Sequence, residues 1–99
     1  MALDLYVYIE HADEPLWVPI DDSWHDAMFS SLTPAGQYRQ LSRLHDYYAD
    51  CCFDAHDARQ LLDDIIALCE RHAISSAALT TLTLARQGAS ILSIQALGD

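Results

Sequence analysis

Histidine followed directly by aspartate occurs three times, at His25-Asp26, His45-Asp46 and His56-Asp57. With five His and twelve Asp in 99 residues, chance places fewer than one such pair. A His-Asp pair joined to a distant His and a distant Asp at one ion is how metal-dependent phosphohydrolases activate water. That arrangement needs more helices than this chain's patterning supports. Zinc is the other metal candidate: Cys52 and His56 are four apart and Cys69 and His72 three apart, and two Cys with two His can close a tetrahedral site. On a helix starting near Asp54, however, His56 and the Cys69/His72 pair lie roughly 20 Å apart at about 1.5 Å per residue. Cys69 therefore reads as core. His72 reads as a residue near a helix C-terminus, where positive charge is favoured. No metal ligand and no cofactor is expected.

Nucleophilic catalysis has no support either. The chain has three Gly, no Gly-x-Ser-x-Gly elbow and no Gly-rich phosphate loop. Ser30-Ser31 and Ser75-Ser76 read as ordinary helix-end residues. Asp21-Asp22 and Asp63-Asp64 are adjacent carboxylates on a solvated surface before they are an acid/base pair. We expect no catalytic residue and no enzyme. The three cysteines, Cys51, Cys52 and Cys69, are odd in number, and two are neighbours that rarely bond to each other. Residues 1–10 have neither a basic region nor an apolar core of export-signal type. The thiols are therefore expected to be reduced, in a cytoplasmic protein.

What remains informative is charge. Five Lys+Arg, every one an Arg, face fifteen Asp+Glu, for a net charge of −10. Binding to nucleic acid is disfavoured because neutralising phosphates needs a basic surface, and anionic membrane is disfavoured for the same reason. No apolar run approaches the ~20 residues of a membrane span. The acids are clustered. Glu10, Asp13, Glu14, Asp21, Asp22 and Asp26 crowd the first quarter of the chain with Trp17 and Trp24; Asp46, Asp50, Asp54 and Asp57 accompany Tyr47 and Tyr48. Aromatic rings supply buried contact and carboxylates steer a cationic partner. Two partner-binding patches are expected: Asp13, Glu14, Asp21, Asp22 and Trp24, and Tyr47, Asp50, Asp54 and Asp57.

These groups must be carried on a fold, and the patterning predicts α+β. Residues 3–10 alternate, with Leu3, Leu5, Val7 and Ile9 on one side and Asp4, Tyr6, Tyr8 and Glu10 on the other, the pattern of a half-buried strand. Residues 11–15 read as a turn and Leu16–Ile20 as a second strand, which Pro19 confines to an edge or bulge. Asp21, Asp22 and Ser23 can cap a helix carrying Trp24, Met28 and Leu32. Thr33-Pro34 reads as the start of a long helix through Tyr38, Leu41, Leu44 and Tyr48 to Phe53. Asp54 caps another helix with Ala58, Leu61, Leu62, Ile65, Leu68 and Cys69 on one face, and Arg59 and Asp63 an i, i+4 pair on the other. The two helices are expected as an antiparallel hairpin.

Residues 79–86 and 89–97 are expected as a terminal β-hairpin. The rival reading makes 76–87 a fourth helix, since Ala77, Ala78, Leu79, Leu82 and Ala85 also suit one. The sum is one domain over residues 1–99: an antiparallel sheet from N-terminal and C-terminal strands with about three helices on one face.

The opening strand Leu3-Asp4-Leu5-Tyr6-Val7-Tyr8-Ile9-Glu10, the Trp17-to-Trp24 segment and the acidic helical region 34–72 together resemble a bacterial immunity protein of a toxin–immunity pair, of the contact-dependent growth inhibition type. The resemblance is to a class of small, acidic, cytoplasmic α+β proteins without catalytic motifs, and it transfers no individual residue role. It implies a cognate protein toxin as partner, usually a nuclease with a basic surface, which the carboxylates would meet where phosphates otherwise lie. A small acidic adaptor or regulatory protein that binds a host factor, for which an exposed sheet edge could supply a dimer contact, is the alternative from a different class; a metal-dependent hydrolase is the third.

Overall fold

The computed structural model describes residues 3–31, 38–44, 50–88 and 90–98. The alternation at the N-terminus becomes strand β1, Leu3–Ile9, with Leu3, Leu5 and Val7 fully buried. It pairs antiparallel with β2, Leu16–Ile20, from Leu3↔Ile20 to Val7↔Leu16. Cys51–Phe53 forms a short strand, β3, and Ile91–Leu97 forms β4, which pairs antiparallel with both β1 and β3. The sheet order is β2-β1-β4-β3. The chain is thus α+β with an antiparallel sheet of N-terminal and C-terminal strands, as the patterning predicts; β1 and β4 are adjacent at its centre.

Both edges are blunted. Pro19 lies on the β2 edge and has no N–H to offer a further strand. At the β3 edge the Arg43 guanidinium donates to the Cys52 carbonyl at 2.8 Å and lies 4.2 Å from the centre of the Phe53 ring.

Helix α1, Asp22–Ser31, begins at Asp21, whose Oδ1 accepts the Trp24 backbone N–H at 2.8 Å. Trp24 and Met28, one turn apart, are buried in the core. Helix α2, Ala55–Arg71, is capped by Asp54, which accepts the Asp57 N–H at 2.8 Å. Its face of Ala58, Leu61, Leu62, Ile65, Leu68 and Cys69 is buried against the sheet, as predicted. Asp63, however, pairs with Arg86 at 2.9 and 3.2 Å and not with Arg59.

Two expected elements are corrected. Thr33-Pro34 lies outside the described residues, but the expected long helix does not run on to Phe53: residues 38–40 are a turn, Leu41–Leu44 a single 3₁₀ turn, and Cys51–Phe53 a strand. The predicted antiparallel helix hairpin is therefore absent. Tyr38, Leu41 and Leu44 are buried at a spacing of three, which a 3₁₀ turn presents as well as an α-helix does. What distinguishes them is distant in sequence. Asp64 of α2 accepts the N–H groups of Gln40 and Leu41 at 2.9 and 3.2 Å, so a side chain does the work of helix carbonyls.

The second correction is at residues 79–86, which are not a strand. Helix α3, Ala77–Gly88, follows the competing pattern, burying Leu82 and Ala85 while Leu84 stays 64% exposed. Its threonines are reconciled with the helix by bonding back one turn: Thr83 Oγ1 donates to the Leu79 carbonyl at 2.8 Å and Thr81 Oγ1 to that of Ala77 at 3.4 Å. Of the predicted terminal hairpin only β4 stands.

Candidate functional site

Strand geometry separates the first predicted patch. Asp13 and Glu14 are exposed before β2, and Asp21 and Asp22 are exposed after it. A five-residue strand at about 3.3 Å per residue holds the two pairs some ~20 Å apart. Trp24 does not belong to a surface patch at all: it is 4% exposed, its ring packed in the core with Nε1 enclosed. Burial pushes the thiol of Cys69 up from its usual pKa, and the Trp24 indole opposes that shift.

Of the second patch, Tyr47 lies outside the described residues. Asp50, Asp54 and Asp57 each have a structural task. Asp50 accepts the Gly98 N–H at 3.0 Å, Asp54 caps α2, and Asp57 pairs with Arg43 at 3.4 Å. Asp50 precedes β3 and Asp54 follows it, about 13 Å along an extended chain.

The register brings other groups together. Leu3 is opposite Ile20, Asp4 opposite Leu97 and Cys51 opposite Ala96. Asp4, Asp21, Asp22 and Asp50 therefore share one end of the sheet, while Glu10, Asp13 and Glu14 lie at the other. Between them runs the face of the sheet turned away from the core. Paired residues point to the same side, so Trp17, Tyr6, Gln95 and Cys52 form one row across all four strands, and Pro19, Asp4 and Leu97 form the next. Trp17 is 58% exposed and Tyr8 38%. Trp17 donates its indole N–H to Asp4 Oδ1 at 3.0 Å, and Tyr8 donates its hydroxyl to Gln95 Oε1 at 3.5 Å. At the far end β4 carries an extra residue, since Tyr8 faces Ser93 and Ile9 faces Ile91; Leu92 between them is 53% exposed. None of these outward residues is basic.

The outward side of β1 follows from the alternation of residues 3–10, whereas the two expected patches lie elsewhere. Asp4, Tyr6 and Tyr8 were legible from the alternation, and Trp17 from its position between the buried partners Val18 and half-buried Leu16. Trp17 and Trp24 both sit among acids in sequence; burial separates them.

A cleft of about 470 Å³ lies between the start of α1 and the segment leading into α3, lined by Pro19, Asp21, Ser23, Trp24 and residues 74–78. Its carboxylate, Asp21, is already the cap of α1, and Ser76 Oγ accepts the Ala78 N–H at the start of α3. Among the described residues, no three His, Cys, Asp or Glu side chains come together as a metal site. Cys52 and His56 are exposed at the sheet edge and first turn of α2, Cys69 is buried, and His72 is exposed at the far end of that helix. His25 is buried, its Nε2 2.9 Å from the Leu44 carbonyl and its ring stacked on Phe29 at 4.5 Å, away from Asp26 on the exposed side. No helix among the described residues is long and apolar enough to cross a membrane.

Compared with family models, curated proteins and solved structures, the chain has no match.

Proposed function

We propose that this chain is an immunity protein, which binds a cognate toxin domain with a basic surface and neutralises it without performing catalysis. The observation that carries this reading is the outward face of the sheet: among the described residues it is aromatic, with no basic residue in its rows, and it is set in a chain of net charge −10. Aromatic rings grouped on one exposed face and rimmed by polar groups are a common mark of a protein-interaction site. Acidic groups at both ends of that face make association with a basic protein fast and salt-sensitive, because steering charges act over about 8 Å at physiological ionic strength. A nuclease suits the role, since the surface that holds its phosphates would accept carboxylates instead. Specificity would come from the rings and the placement of charge, not from total charge. An adaptor that binds a host factor is the second reading; Pro19 and Arg43 at the sheet edges weigh only against its pairing through an edge.

The test is capture with the tagged chain from its native lysate at low and high salt, followed by expression of the retained protein with and without this chain. A basic protein that is released by salt, arrests growth alone and is tolerated on co-expression is the expected result. A retained protein that is harmless alone, or toxic regardless of this chain, overturns the reading.

A further inference from the structure

We propose that the outward face of the sheet, centred on Trp17 and Asp4, docks an arginine side chain from the basic surface of the protein partner. This rests on the reading of the chain as a binder of a basic protein and names the spot where contact is strongest. An exposed indole and a carboxylate are already joined at 3.0 Å. The bond fixes the ring before any partner arrives, so less side-chain freedom is lost on binding. It engages one carboxylate oxygen, and a carboxylate accepts on both. A planar guanidinium can stack on the indole face and donate to the second oxygen; an ammonium has no planar face with which to do so.

Charge complementarity selects the occupant. A second copy of this chain would bring another Asp4, and another −10, against the first. Nucleic acid and anionic lipid meet the same repulsion. A basic protein surface gains from Asp4 beside Trp17 and from Asp21, Asp22 and Asp50 at the same end of the sheet. The face, about 23 Å along its two seven-residue strands and ~14 Å across all four, accommodates one helix or loop. With the edges blunted, a partner meets the face and not the ladder.

The probe is a hexa-arginine peptide, titrated at low salt into the isotope-labelled full chain while backbone amide, indole and tyrosine resonances are followed. The Trp17 indole N–H is expected to shift and that of Trp24 to stay still. Asp4→Asn, which keeps an acceptor for the indole but removes the charge, and Trp17→Ala should each weaken binding about fivefold or more. Hexa-lysine should bind more weakly; equal affinity overturns stacking on Trp17. Shifts confined to Asp13 and Glu14, or to Asp21 and Asp22, overturn this face and leave the basic-partner reading standing. No shift anywhere overturns both. Sedimentation over a range of concentrations tests the remaining occupant: a dimer that protects Trp17 gives the face to a second copy and overturns the proposal.

Discussion

Trp17 reaches diagonally across the β1–β2 ladder to Asp4, two residues from its register partner Tyr6. The chain's other tryptophan, seven positions on, is enclosed between α1 and the core. The two rings therefore divide the work between surface and interior.

Their substitution should separate stability from binding. Trp24→Ala removes a large buried ring and is expected to cost about 3–5 kcal/mol. Trp17→Ala removes a mostly exposed ring and one exposed hydrogen bond, and should cost less than ~1 kcal/mol. Urea unfolding of both variants measures this. Comparable losses would contradict the placement of Trp17 outside the core.

How far the sequence discloses this arrangement depends on where the deciding contacts lie. β1, β2 and the core face of α2 rest on local periodicity, and Asp21 and Asp54 cap helices where their residue types predict. Residues 38–44 and 51–53 are illegible in sequence because the spacing of three at Tyr38, Leu41 and Leu44 fits two helix types and their anchors, Asp64 and strand β4, are distant. The threonines of α3 misled because β-branched residues favour strands until a neighbouring carbonyl satisfies the hydroxyl, as Leu79 does for Thr83. Of the site, the acids were visible but their grouping was not: only strand register shows that Asp50 shares an end of the sheet with Asp21 and that Glu14 does not.

Arg43 should not tolerate lysine. Its guanidinium donates to Gln40 Oε1 at 2.9 Å and to the Cys52 carbonyl at 2.8 Å, meets Asp57 at 3.4 Å, and covers the Phe53 ring. One planar group thus joins the 3₁₀ turn, β3 and α2. Lysine keeps the charge but offers no fork and no flat face. Because the group is partly solvated, Arg43→Ala is expected to cost about 1–2 kcal/mol, and Arg43→Lys to recover less than half of it. Full recovery by lysine in thermal unfolding would show that charge alone matters there.

Asp64 should set part of the pH dependence of stability. Burial raises its pKa above the usual carboxylate value; the N–H groups of Leu41 and Gln40 oppose that shift and neighbouring Asp63 adds to it. Since the folded value lies above the unfolded one, the native state holds this proton more tightly. The associated stability is complete at low pH and is lost as pH rises through the folded value. Asp64→Asn keeps an acceptor for both N–H groups and never ionises. It should equal the native chain in acid and match or exceed its stability near neutral pH. Asp64→Ala strands both donors and should cost about 1–3 kcal/mol. Urea melts of the three proteins across the acidic range give the difference curves; a native advantage over Asn that grows toward neutral pH would reverse the assigned direction.

Ala73 occupies a conformation usually left to glycine. Helix α2 ends with Ala73 N–H bonding to the Glu70 carbonyl at 3.4 Å and Ile74 N–H to that of Cys69 at 2.9 Å, while Ala73 takes φ of 53°. This is the glycine-terminated helix stop with a methyl group in place of hydrogen. A left-handed L-residue costs about 1–2 kcal/mol, whereas glycine's extra freedom in the unfolded chain costs about 0.4–1 kcal/mol. The strain is the larger of the two, so Ala73→Gly should stabilise the chain by about 0.5–1 kcal/mol. Ala73→Val, which adds a branch at the same positive φ, should destabilise it by more than that. Paired thermal melts decide the matter: if glycine lowers the midpoint, Ala73 is not strained and the helix stop gains its stability elsewhere, from the half-buried Ile74 that follows it.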